Sequence, residues 1–84
     1  MHLVVLTPDK ELFDGEVTRV KVPGSKGQFE ILENHAPIVS SLDPGTITIV
    51  NENGEEWTVA IDKGFVEVLD NNVNLLVQGA EENA

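Results

Sequence analysis

Thr46-Ile47-Thr48-Ile49-Val50-Asn51-Glu52-Asn53-Gly54-Glu55-Glu56-Trp57-Thr58-Val59-Ala60-Ile61 is the stretch that decides the fold. In its first half Ile47 and Ile49 alternate with threonines. That period of two puts the apolar side chains on one face of a strand and the polar ones on the other. In its second half Trp57, Val59 and Ile61 share a face in the same way. Between the halves, Asn53-Gly54 is the strongest hairpin signal in the chain, since a type I′ turn needs φ > 0 at both central residues. The prediction is two half-buried strands joined by a tight turn.

The same grammar extends in both directions. Towards the C-terminus, Asp62-Lys63-Gly64 predicts a turn into a strand Phe65 to Leu69. Asp70-Asn71-Asn72 predicts the next turn, and Val73, Leu75 and Val77 the next apolar face. Towards the N-terminus, Asp43-Pro44-Gly45 predicts a turn after a strand Ile38 to Leu42. Before it, Pro23-Gly24 suits a type II turn, Gly27 a second bend, and Phe29 and Ile31 alternate with Gln28 and Glu30. Asn34 is the non-glycine type that best accepts a left-handed conformation, and Pro37 pushes Ala36 towards an extended one. From Glu11 to Val22 one long strand is expected, bent or bulged near Gly15, with Thr18, Val20 and Val22 facing away from Arg19 and Lys21. Leu3-Val4-Val5-Leu6 reads as a first strand that is apolar on both faces.

Turn signals recur about every 8–12 residues and no segment keeps a 3.6-residue period, which predicts an all-β, antiparallel two-sheet sandwich of short strands with little or no helix. One domain is expected over residues 1–78, with a polar tail, 79–84, that frays.

Composition narrows the function. Valine and isoleucine together outnumber leucine seventeen to eight, a bias towards strands. The net charge of −10 excludes the basic patch that neutralises nucleic-acid phosphates, and opposes adsorption to an anionic membrane. With no cysteine there is no disulfide and no thiolate chemistry. No apolar run approaches the ~20 residues of a membrane helix, and no signal or transit peptide is apparent. The latter points to a bacterial or organelle-encoded chain.

No constellation reads as a catalytic or metal site. His2 and His35 lack ligand spacing, and Ser40-Ser41 have no general base in reach. The carboxylates Glu30, Glu33, Glu52, Glu55 and Glu56 read as solvated faces that discourage edge pairing. Gly24 and Gly27 lack the lysine and helix start of a phosphate loop. No cofactor is expected. Trp57 is either core packing or a contact residue. The segment Pro23–Pro37 is either a stiff sandwich corner or a contact surface, and its residues alone leave that open.

Three ordered runs resemble the epsilon subunit of rotary ATP synthases. They are Pro23-Gly24-Ser25, Gly27, Phe29, Ile31-Leu32 and His35-Ala36-Pro37; Leu42, Pro44-Gly45, Ile47 and Ile49; and Gly64-Phe65-Val66-Glu67-Val68 with Asn71 or Asn72 and Val73. The similarity covers about His2 to Gln78. It implies a sandwich of two antiparallel sheets and a non-catalytic place in the central rotor stalk, as one copy within a hetero-oligomer. The partners it implies are the gamma subunit and the ring of c subunits. Thr7, His35 and Ser40 match family positions on the gamma-facing side; Ser25, Lys26 and Gln28 match the loop that meets the c ring. The implied location is peripheral, on the cytoplasmic face of the bacterial inner membrane or its organellar equivalent, without membrane insertion. Two departures stand out. Glu33-Asn34 replaces the usual Pro-Gly before His35-Ala36-Pro37, and Glu30 replaces a small residue. The sequence ends at Ala84, short of the helical hairpin that follows in most members. Neither the hairpin's inhibitory role nor its ATP-sensing role is therefore expected. The alternative is a stand-alone β-sandwich interaction module with a different partner.

Overall fold

The computed structural model describes residues 1–83, and every regular element among them is a strand. In chain order these are β1 (His2–Leu6), β2 (Glu11–Glu16), β3 (Arg19–Gly24), β4 (Gly27–Leu32), β5 (Ile38–Leu42), β6 (Gly45–Val50), β7 (Glu56–Ile61), β8 (Lys63–Leu69), β9 (Asn72–Gln78) and β10 (Glu81–Asn83). They form one curled sheet in the order β10-β7-β6-β3-β5-β8-β9-β1-β2, with β4 on β3. Between β3 and β5 the ladder narrows to a single pairing, Gly24 with Leu42. That neck divides the sheet into two five-stranded layers, β4-β3-β6-β7-β10 and β5-β8-β9-β1-β2.

Alternation explains the packing. Ile47, Ile49, Val59 and Ile61 from one layer, with Leu3, Val5, Val66, Val68, Val73, Leu75 and Val77 from the other, are buried in a single cluster. Each such side chain contributes roughly 1.5–3 kcal/mol by leaving water. No buried polar side chain interrupts the cluster among the described residues. Trp57 is half-buried against the core and meets Phe13 edge-on, ring centroids 5.7 Å apart at 61°. The packing role of Trp57 is therefore the one observed, and the aromatic pair plugs the side of the sandwich where β2 and β7 approach.

Several local expectations are corrected. The single strand expected over 11–22 is two strands, broken at Val17-Thr18. There the Val17 amide turns to the Met1 carbonyl (2.9 Å) and the Thr18 amide to the Val50 carbonyl (2.8 Å), so the chain passes from one layer to the other. Pro23-Gly24 is not a turn. Both residues end β3, and the turn is Ser25-Lys26, closed by the pairing of Gly24 with Gly27 (φ 124°). Gly54 has φ 79° but Asn53 does not join it above zero. The Asn51 side chain accepts from the Asn53 (3.0 Å) and Glu55 (2.9 Å) amides and so builds a wider turn. The two-residue hairpin with both φ values positive is instead Asp70-Asn71, at 49° and 62°. Lys63 and Gly64 already belong to β8. Every neighbouring pair is antiparallel except β1 with β9, which is parallel. Where the tail was expected to fray, Glu81–Asn83 pair with β7 and satisfy backbone groups on its outer edge. Ala84 and the side chains of residues 82 and 83 lie outside what is described.

Candidate functional site

With Val66, Val68, Val73, Leu75 and Val77 pointing inward, the pleat sends Phe65, Leu69 and Leu76 outward. They are exposed by 58%, 53% and 54%, and Val39 on β5 by 70%, values that mark them as surface side chains and not loosely packed core. The register places three apolar side chains in one row across strands, because Leu6 opposes Leu76 and Leu76 opposes Phe65. Phe65 in turn opposes Ser41. Val39 and Val4 lie one pleat further along the same face, and Leu69 extends it towards the Asp70-Asn71 turn. Below the row is a cleft of about 600 Å³ lined by Leu6, Thr7, Ser41, Lys63, Phe65 and Leu76 among others. The outer face of β5-β8-β9-β1 thus carries an apolar row, Leu6-Leu76-Phe65, beside a mixed one in which exposed Glu67 and Asn74 stand between Val39 and Val4, a combination suited to docking a partner.

The six residues singled out from sequence fall into different environments. Thr7 follows β1, and its hydroxyl closes the next turn, accepting from the Lys10 amide (3.0 Å) and donating to the Lys10 carbonyl (3.1 Å). Ser25 ties the β3–β4 hairpin tip to β5. Its amide donates to the Ser41 carbonyl (3.1 Å), and its hydroxyl lies 2.9 Å from the Ser41 hydroxyl and 3.2 Å from Asp43 Oδ1. Ser40 donates to the Ser41 carbonyl (3.1 Å). His35 sits in the connection from β4 to β5, its Nδ1–H donating to the Ala36 carbonyl (2.7 Å). Lys26 and Gln28 are exposed at the hairpin.

Grouping them by proximity cuts across the expected division. Ser40 lines one groove with Ser25, Lys26 and Gln28, Thr7 shares the apolar cleft with Ser25, and His35 lies in neither. His35 and Thr7 instead bracket the outer face at its two ends, since β5 leaves His35 beside the Asp70 turn and β1 delivers Thr7 to the far side.

The Glu33-Asn34 departure has a local explanation. Asn34 holds φ 61°, the left-handed turn expected of it. Asn71 reads the loop twice, its Oδ1 accepting from the Asn34 amide (2.8 Å) and its Nδ2 donating to Glu33 (3.2 Å). The Met1 ammonium, buried and 2.6 Å from Glu33 Oε1, holds that carboxyl below the usual range, helped by Asn71. His2 bridges Asp14 through Nε2 and Glu16 through Nδ1, both at 2.7 Å. The hydrogen bond to Glu16, then the charge of Asp14, raise its pKa. None of these contacts forms a metal-binding cluster among the described residues. No helix among them is long and apolar enough to cross a membrane.

Sequence reasoning missed Val39, Phe65, Leu69 and Leu76. For Leu76 the signal was available, since it stands out of phase with the apolar face assigned to Val73, Leu75 and Val77; for Val39, Phe65 and Leu69 no face had been assigned.

Comparison with known proteins gives this surface its setting. The family model described as ATP synthase, Delta/Epsilon chain, beta-sandwich domain matches residues 1–83. An ATP synthase epsilon chain of Sulfurovum sp. is 42% identical over 80 residues, 95% of this chain and 62% of its own. The chloroplastic epsilon chain of Pelargonium hortorum is 36% identical over 84 residues, all of this chain and 63% of its own. The chain thus spans somewhat under two thirds of the length of these relatives. A chain in the Euglena gracilis mitochondrial ATP synthase (OSCP/F1/c-ring) superposes with TM-score 0.89 at 24% identity, covering 95% of this chain and 51% of that one. A chain from the central stalk and c ring of the Tetrahymena thermophila enzyme gives TM-score 0.77 at 23% identity. Sandwich, register and family model agree, and the chain belongs to the family of the ATP synthase delta/epsilon chain β-sandwich domain.

Proposed function

We propose that this chain acts as the epsilon subunit of a proton- or sodium-translocating ATP synthase, a non-catalytic part of the central rotor stalk that links gamma to the c ring. The observation that carries the reading is the apolar outer face of β5-β8-β9-β1 on a domain of this family. A domain with a complete core gains nothing in stability from exposing Phe65, Leu76 and Val39, whereas a torque-transmitting joint needs a rigid, desolvating contact. Gamma covers that face, with His35 at one end of it and Thr7 at the other, while Ser40 lies in the adjoining groove of the β3–β4 hairpin. The Ser25-Lys26 turn and Gln28 present neutral and singly charged groups to the polar loops of the c ring. The chain is held peripherally through these partners, on the cytoplasmic side of a bacterial inner membrane or its organellar equivalent.

Reconstitution with purified gamma and the c ring tests the reading. A stoichiometric complex at micromolar concentration is expected. No complex with either partner under those conditions overturns it.

A further inference from the structure

The apolar face is one surface left open by this fold; the free edge of β4 is another. Pro23 and Gln28 oppose each other in the β3–β4 ladder. The Pro23 carbonyl points away from β4, since it accepts from the Asp43 amide at 2.8 Å, and proline has no N–H to give. That pair is therefore a non-bonded one, and alternation turns the N–H and C=O of Gln28 and Glu30, and the N–H of Leu32, outward from the sheet. The Leu32 carbonyl conforms, accepting from the His35 amide outside the ladder (3.1 Å). Among the described residues β4 pairs with β3 and with no other strand, so its far edge is open. An edge of this length is a template for one more strand, and fixed backbone groups in a row specify an extended occupant.

The side chains along the edge narrow its identity. Phe29 is half-buried on the inner side and offers an apolar shoulder, while Gln28 and Glu30 are exposed on the outer side. A second copy pairing antiparallel about position 30 would set Glu30 against Glu30, which is repulsive, on a chain already at −10. Lys21 flanks Glu30 on the β3 side, and a segment carrying lysine or arginine on the free side is attracted where a second glutamate is not. The edge is continuous with the Ser25-Lys26 turn and leads to His35, so its occupant touches both expected contact groups.

We propose that an extended segment of the gamma subunit adds to β4 as a further strand, placing a basic side chain beside Glu30. This rests on the stalk reading above, but requires a particular geometry of contact that the stalk reading does not. Amide exchange of the chain, alone and bound to purified gamma, separates the two. The Gln28, Glu30 and Leu32 amides should exchange at least about tenfold more slowly in the complex. Phe29 and Ile31, already bonded to β3, serve as internal controls for an intact hairpin. Glu30→Lys should weaken gamma binding by about tenfold or more while leaving those controls unchanged, and Glu30→Gln should weaken it less. Binding of gamma with unchanged exchange at Gln28, Glu30 and Leu32 overturns strand addition and leaves the stalk reading standing. Self-association of the chain through this edge also overturns it, and absence of any gamma binding overturns both.

Discussion

The two layers of the sandwich bury the same kind of inner face but differ in how much apolar surface their outer faces expose. On the outer side of β3, β4, β6 and β7 lie Arg19, Lys21, Glu30, Thr48 and Glu56 around a shallow, polar depression, with Leu32 the one large apolar side chain exposed there among the described residues. On the outer side of β5, β8, β9 and β1 lie Val39, Phe65, Leu69 and Leu76, with Glu67 and Asn74 among them. Both follow the same period-2 pleat, and both are backed by side chains of the same core. The difference therefore owes nothing to folding. The polar face shows what solubility alone requires of a sheet this size; the apolar face shows what has been added to it.

Two adjacent residues break or sharpen this comparison most directly. Leu75 is fully buried and Leu76 is half exposed, one pleat apart on β9. Leu75→Ala should cost about 2–5 kcal/mol by leaving a cavity. Leu76→Ala should stay within about 0.5 kcal/mol. Urea unfolding of both variants checks this, and equal losses would mean that the outer row is structural. Next in size is Gly64→Ala, on the strand that joins the apolar row to β5. An added Cβ would stand 2.5 Å from the Leu76 carbonyl, a backbone atom that has no room to yield. A loss of about 1–3 kcal/mol is expected in the same measurement. Smaller again is Asn34→Val, which opposes φ 61° at the end of the face where His35 stands and should cost about 1–2 kcal/mol.

The smallest effects are electrostatic, and their signs are opposite. His2, its pKa raised by Glu16 and Asp14, contributes stability fully present below about pH 6.5 and lost as pH rises through the raised value. Glu33, its pKa lowered by the Met1 ammonium and Asn71, contributes stability present above the ordinary carboxylate range and lost as pH falls through the lowered value. Tm measured against pH should therefore lose its alkaline slope near neutrality in His2→Gln and part of its acid slope in Glu33→Gln. Both groups are exposed, so modest amplitudes that shrink in high salt are expected.

Much of the inner face was legible, because alternation is local. Ile47 with Ile49, and Val73 with Leu75 and Val77, were assigned inward and are buried. Asn34 was assigned a left-handed conformation and has one. What escaped depended on groups distant in sequence or on side chains acting as backbone. At the corner Val17-Thr18 the buried phase slips by one, from Val17 to Val20 and Val22, a break in alternation that was legible, but the hydrogen-bond partners that take over there, Met1 and Val50, were not. Asn51 recasts the Asn53-Gly54 turn by standing in for a carbonyl, and that role looks like any other asparagine in a loop. The parallel pairing of β1 with β9 joins residues some seventy positions apart, where no local pattern reaches. The apolar outer row was barely legible: Leu76 stood out of phase with Val73, Leu75 and Val77, but only the register shows that Leu6, Leu76 and Phe65 form one row.

The central claim of the proposed function is that the outer face of β5-β8-β9-β1 is where this chain would meet gamma. Calorimetric titration of purified gamma with the chain and with the double variant Phe65→Ser, Leu76→Ser tests it most directly. Loss of affinity by about a hundredfold, with urea unfolding displaced by less than about 1 kcal/mol, is the predicted result. Unaltered affinity in a folded double variant would contradict it.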